Sequence, residues 1–315
     1  MLKVLTKNFW KESWQMLLAT FNGFTNDKGL KLSASLAYYT IFSIAPLLIL
    51  IISLVSVFYG DDAMQDKIVP QISDLVGTKA AMQIQEMIQN LQISGKTGIA
   101  VVIGVTTLII GATTVFLEIQ DSINMIWRVK AKPKKGWLQM LKNRFLSFSL
   151  IISLGFLLLA SLVINGIIVA MQNTLIKVFP HTTIFIFDLI NLGVTFLIIS
   201  FLFGIIFKFL PDVKIPWKSV RIGAFFTAVL FMLGRYIISI YIEKAGTASA
   251  YGAAGSLIII LLWIYYISAI LYFGAEFTRV YADKSGCSIE PADYAVHVEQ
   301  TEVEKNVDFI PPPKV

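Results

Sequence analysis

The chain has 315 residues, 56% of them hydrophobic and 15% charged, with a net charge of +6 and a mean hydropathy of +0.73. Soluble domains carry about 25% charged residues, so this composition excludes an ordinary water-soluble fold. A single cysteine, Cys287, excludes an intramolecular disulfide and a cysteine zinc cluster.

Six stretches are long, apolar and almost free of charge: residues 36–58, 98–117, 145–171, 184–207, 222–242 and 256–275. Each supplies the roughly 20 apolar residues that cross a bilayer core of about 30 Å. A backbone in lipid must satisfy its own hydrogen bonds, so these stretches are expected to be helices. The expected fold is all-α, a polytopic bundle of six transmembrane helices in one membrane domain over residues 1–285. Two amphipathic helices, near 2–24 and 64–92, accompany it. Residues 286–315 are expected to form a disordered tail, because they are weakly hydrophobic and proline-bearing.

In chain order, Leu2, Leu5, Phe9, Leu17, Phe21 and Phe24 can share one side of the first segment, with Lys3, Lys7 and Lys11 elsewhere. Trp10 and Trp14 suit a headgroup zone. Two readings stand side by side: a helix lying in the membrane interface, or one packed under the bundle. The first apolar run starts only after residue 31 and is long enough to span, so no cleavable signal peptide is expected. That first span contains Pro46, which frees a carbonyl and kinks a helix. Tyr38 and Tyr39 make the half before it polar enough to face protein or water. Residues 64–92 are too polar to span. Ile84, Met87, Ile88 and Leu91 there follow helical spacing and predict a cap on the outer side.

The second span ends in Glu118 and Asp121, and a basic linker from Arg128 to Lys135 follows. Pro211 and Pro216 bracket the turn between the fourth and fifth spans. The small residues of 245–256 lead into the sixth. Lys and Arg number five in 1–35, seven in 118–144, four in 208–221 and four in 276–315, against three, one and one in the alternate loops. The positive-inside rule then places both termini in the cytoplasm.

Charge in lipid costs about 2.5–3.5 kcal/mol per residue on insertion scales. Arg235 in the fifth span and Asp188 near the outer end of the fourth are therefore candidate site residues. They read either as a structural pair, with Arg235 alternatively snorkelling, or as a site for an anionic headgroup, ion or proton. A second polar group lies at the inner face: Glu118, Asp121, Asn124, Arg128, Glu276 and Arg279. It reads as a solvated rim of salt bridges or as a cytoplasmic gate. His181 and His297 belong to no short metal motif, no phosphate-binding loop is present, and the serines have no evident histidine partner. No enzyme activity, cofactor, metal or nucleic-acid partner is expected. The expected partners are membrane lipids and an unidentified small solute or lipid.

Four stretches carry a resemblance to a known family. They are Ser33 to Pro46, Asn124 to Val129, Phe209 to Val213 with Trp217 and Gly223-Ala224, and Tyr251 to Gly255 with Leu262 to Tyr265 and Gly274 to Glu276. Within them Tyr38, Tyr39, Pro46, Pro211, Tyr251, Gly252, Gly255, Trp263 and Gly274 stand as structural motif positions. Together they resemble the YihY/BrkB family of bacterial inner-membrane proteins, once labelled ribonuclease BN, over residues 10–282. Ala253-Ala254 departs conservatively from the expected tyrosine–glycine motif. The resemblance implies six spans with cytoplasmic termini, and members treated as transporters or envelope-integrity factors. The leading reading is a transporter or flippase-like protein for an amphipathic or anionic solute. A membrane scaffold or envelope-assembly factor is the alternative, and a ribonuclease is disfavoured.

Overall fold

A computed structural model describes residues 7–43, 82, 98–132, 180–244 and 255–299. The expected span near 145–171, the helix near 64–92 apart from residue 82, the first expected span beyond residue 43 with Pro46, and Tyr251 and Gly252 lie outside the described residues.

The described chain is mostly helical. Helix α1 spans Lys7–Asn26, α2 covers residues 29–43, α3 spans Gly98–Ile126, α4 Pro180–Phe209, α5 Trp217–Lys244 and α6 Gly255–Lys284. Three segments of these are long and apolar enough to cross a membrane: Leu189–Phe209, Trp217–Ile238 and Leu257–Lys284. At 1.5 Å per residue, 21 residues reach about 31 Å. Large apolar side chains on α4 and α5 face outward, among them Leu197, Phe201, Phe225, Leu233 and Ile237. Such a surface suits acyl chains, not water.

Two helices run past the ends of the expected apolar stretches. Helix α3 continues beyond residue 117 to Ile126, so Glu118, Asp121 and Asn124 are helical. Helix α6 runs nine residues past 275, which keeps Glu276 and Arg279 on one continuous helix.

Small residues set the closest helix approach. Helices α5 and α6 run antiparallel, and each offers a glycine to a threonine of the other. A Cβ on Gly223 would fall 1.9 Å from Thr278 Oγ1, and one on Gly274 would fall 2.0 Å from Thr227 Oγ1. Both threonines are fully buried. Each returns its hydroxyl to its own helix: Thr227 donates to the Gly223 carbonyl and Thr278 to the Gly274 carbonyl, both at 2.7 Å. The hydroxyls are thereby satisfied without water, and the threonine methyls pack where the glycines leave room. Further along, Gly234 meets Tyr266 and Ile270, and Trp263 is buried with Ile238 and Ile259. Helices α4 and α5 pack through a core that includes Phe203, Phe207, Val220, Ala224 and Ala228.

Four short strands join the ends of these helices. Strand β1 (Val129–Ala131) pairs antiparallel with β4 (Ala295–His297), and β2 (Val213–Lys214) with β3 (Glu290–Pro291). The expectation of disorder from residue 286 is corrected here as far as residue 299. Composition understated this segment because its order comes from long-range pairing to two loops, not from a core of its own. The linker read as a basic turn likewise contains β1.

Gly274→Val is expected to overpack the α5–α6 contact, at a cost of about 1–3 kcal/mol. Its melting temperature in detergent should fall clearly below the wild-type value, and adding Thr227→Ala should recover part of the loss. An unchanged melting temperature for Gly274→Val would contradict the close packing.

Candidate functional site

The polar residues converge at the end of the bundle where α4 passes into α5. Asp212 sits in that link, behind Pro211, with only 3% of its surface exposed. Its carboxylate accepts hydrogen bonds from Gln120 Nε2 at 3.0 Å, Asn124 Nδ2 at 2.7 Å and Tyr294 Oη at 2.8 Å. Its backbone N–H donates to Asn124 Oδ1 at 2.8 Å, and its carbonyl accepts from Ala292 N–H at 2.9 Å. One residue thus binds α3, the α4–α5 link and the C-terminal strands together. Burial, and then the Asp212 carboxylate itself, push the Tyr294 hydroxyl well above its ordinary pKa, so it remains the donor.

A second buried group adjoins it. Asp27, in the turn between α1 and α2, receives a hydrogen bond from Arg128. The Asp27 side chain is 1% exposed and that of Arg128 24%. The other carboxylate oxygen of Asp27 is buried with no hydrogen-bond partner among the described residues. Lys28, next to Asp27, and Arg128 itself are the two non-glycine residues of left-handed φ (55° and 59°) among the described residues. Such a conformation costs about 1–2 kcal/mol per residue outside glycine. At Arg128 the strained turn closes the C-terminus of α3 and directs the side chain back towards Asp27.

On α6, Arg279 grips Glu276 with two hydrogen bonds, Nε to Oε2 at 3.1 Å and Nη2 to Oε1. The Glu276 side chain is fully buried. Gly23 of α1 lies directly against it, so that a Cβ there would fall 1.8 Å from Glu276 Oε1 and 3.2 Å from Arg279 Nη2. One residue before Glu276, the carbonyl of Ala275 accepts the indole N–H of Trp127 at 2.9 Å. Asp27 feels both Arg128 and Arg279. Even so, burial dominates and raises its carboxyl above the usual aspartate value.

The expected inner-face cluster is therefore resolved into parts. Arg128 joins Asp27, Glu276 joins Arg279, and Asn124 belongs to the Asp212 centre. Glu118 is half-buried and Asp121 exposed on α3. Of the expected pair, Arg235 is half-buried on α5 with its guanidinium 5.2 Å from the Tyr236 ring centroid. Asp188 lies on α4, its side chain outside the described residues. Tyr38 and Tyr39 are exposed on α2 in edge contact with each other. Gly255 opens α6, Trp263 is buried, and Gly274 sits in the α5–α6 contact. Sequence reasoning did not single out Gly23, Asp27, Gln120, Asp212 or Tyr294. A signal existed for Asp212, an acid within the Phe209 to Val213 stretch, and for Asp27, an acid at a break between helical runs. Among the described residues, no group of three His, Cys, Asp or Glu side chains could hold a metal.

Membrane-length helices closed at one end by a buried polar crown define an α-helical membrane protein. Residues 20–295 match the family model described as virulence factor BrkB, and the chain belongs to that family. Similar chains include the UPF0761 membrane protein of Verminephrobacter eiseniae, 28% identical over 275 residues, covering 85% of this chain and 62% of that protein. The UPF0761 membrane protein of Pseudomonas aeruginosa strain PAO1 is 28% identical over 254 residues, 80% of this chain and 59% of its own. That of Psychrobacter sp. strain PRwf-1 is 28% identical over 273 residues, 85% and 48%. The chain thus spans less than two thirds of the length of these relatives. No solved structure matches it.

The raised Asp27 carboxyl has a pH signature. The folded protein holds this proton more tightly than the unfolded chain does. The stability it contributes is complete below the ordinary value of 3.8 and is lost as pH rises through the higher folded value. Asp27→Asn should remove that loss, giving a flatter melting-temperature profile across the mildly acidic range. A profile with the wild-type slope would show that another group titrates.

Proposed function

We propose that this protein carries an amphipathic or anionic solute, with phospholipid as the first candidate, through or along a bacterial inner membrane. It acts as a transporter or flippase-like protein and not as an enzyme. The observation that supports this reading is the buried charge at one end of the bundle: Asp27 with Arg128, and Glu276 with Arg279. Replacing a buried ion pair by apolar residues is often neutral or stabilising. Two such pairs, kept beside a largely apolar core, are therefore better accounted for by a task than by stability. Both pairs meet where α1, α3 and α6 converge; Asp27–Arg128 joins two separate elements, so parting it would open this end of the bundle, and Glu276–Arg279 lies within α6 beside it. In this reading they are the gate. Arg235 and Asp188, on neighbouring helices, are proposed as a second charged station deeper in the membrane, where an anionic group could exchange partners.

The reading carries a topology: six spans, the polar end cytoplasmic, and residues 64–92 on the outer side. The loop charge bias supports it. Gln65→Cys should react with an impermeant thiol reagent in intact cells, and Gln300→Cys should be protected until the cells are opened. The reverse pattern would invert the topology.

Solute movement is tested in liposomes carrying a fluorescent phosphatidylglycerol on both leaflets. With the wild-type protein present, externally added dithionite should bleach the inner-leaflet probe as well. The double variant Glu276→Gln, Arg279→Gln removes both charges of one pair without stranding either, and should slow that second phase. Bleaching that stops at the outer leaflet with the wild-type protein would remove lipid as the solute.

A further inference from the structure

Helix α1 has three faces, roughly 120° apart at about 100° per residue. The first, Met16, Thr20, Gly23 and Phe24, turns towards the bundle: Thr20 is fully buried, Gly23 abuts Glu276, and Phe24 meets Phe273 edge-on at 5.6 Å. The second, Lys11, Gln15, Ala19, Asn22 and Asn26, is exposed and mostly polar. The third is exposed yet apolar: Trp14 at 63%, Leu17 at 36%, Leu18 at 45% and Phe21 at 60%, continuing the line of Trp10. Packing on the bundle accounts for the first face and water for the second. Neither accounts for a helical stripe of large apolar side chains.

We propose that this third face lies in the headgroup–acyl boundary of the leaflet at the polar end of the bundle. In this arrangement α1 is at once an interfacial helix and a bundle helix. Three observations name lipid as the occupant. First, the stripe is level with the outward apolar surface of the membrane helices. Gly23 packs at Glu276, Gly223 packs at Thr278 two residues further along α6, and beside Gly223 the residues Trp217, Ile222 and Phe225 are exposed. Phe21 thus lies at the level of the apolar surface that α5 presents. Second, the stripe and this surface carry tryptophans, Trp14 on α1 and Trp217 on α5, as interfacial belts do. Third, Lys11 on the adjoining polar face and Lys28 and Lys31 just past the end of α1 are exposed and would meet anionic headgroups. The consequence is a direct mechanical link, because the helix held by lipid on one face holds Glu276 through Gly23 on another.

The test uses the full-length protein with Cys287→Ser and single cysteines carrying a spin label, in liposomes of phosphatidylethanolamine and phosphatidylglycerol. Trp14→Cys, Leu18→Cys and Phe21→Cys should be relaxed preferentially by oxygen, which partitions into the membrane. Gln15→Cys, Ala19→Cys and Asn22→Cys should be relaxed preferentially by a water-soluble nickel chelate. If the first set also favours the nickel chelate, the face meets water and the proposal fails. If the first set is immobilised and shielded from both reagents, a protein surface covers the face, and the proposal fails equally.

Discussion

The reciprocal glycine–threonine contact between α5 and α6 is the constraint on which the rest of the architecture depends. In lipid, helices gain little from hydrophobic association, because the alternative surroundings are equally apolar. Close packing and internally satisfied polar groups must supply the attraction. Gly223 and Thr227 on α5, and Gly274 and Thr278 on α6, supply both in one arrangement. Each threonine enters the space its partner glycine leaves, and each hydroxyl is discharged onto its own helix at 2.7 Å. A side chain at either glycine would separate the helices at the level where the polar crown begins.

The crown follows from that approach. Gly274 is followed by Ala275, whose carbonyl receives Trp127, and by Glu276, which receives Arg279 on one side and the bare backbone of Gly23 on the other. Three consecutive residues of α6 therefore meet α5, α3 and α1 in turn. The two strained turns at Lys28 and Arg128 are consistent with this crowding. The chain accepts left-handed backbone at both, and the Asp27–Arg128 contact joins the two turns. Strain of this kind persists only where the surroundings over-determine it.

The helices were legible in the sequence because their signal is local. Twenty or more apolar residues between charged loops admit few structures in lipid, and α4, α5 and α6 lie where hydropathy places them. The glycines were legible only as small residues; which threonine fills each one depends on register between helices. The site was legible in part. Glu276, Arg279, Arg128 and Asn124 stood out as polar residues beside apolar runs, but Asn124 and Arg128 are sorted into separate groups by partners 88 and 101 positions away. Tyr294 was illegible for the same reason: nothing local marks it, and its role exists only because β3 and β4 bring it beneath Asp212.

The two buried aspartates show how the same problem is met in different ways. Asp27 faces guanidinium groups, and one of its oxygens remains without a hydrogen-bond partner among the described residues. Asp212 is held instead by neutral donors from Gln120, Asn124 and Tyr294, each from a directed side chain. Neutral donors fix geometry and can be fully satisfied, which suits a joint that stays closed. Ion pairs between separate elements can be exchanged for pairs with another charge, which suits a joint that opens. On that physical ground the Asp212 centre is the hinge post that holds the link and the C-terminal strands. In the reading proposed above, the Asp27–Arg128 pair, which joins separate elements beside Glu276 and Arg279, is the part that would respond to an anionic solute, and Gly23 of α1 is where such a response would reach the surrounding membrane.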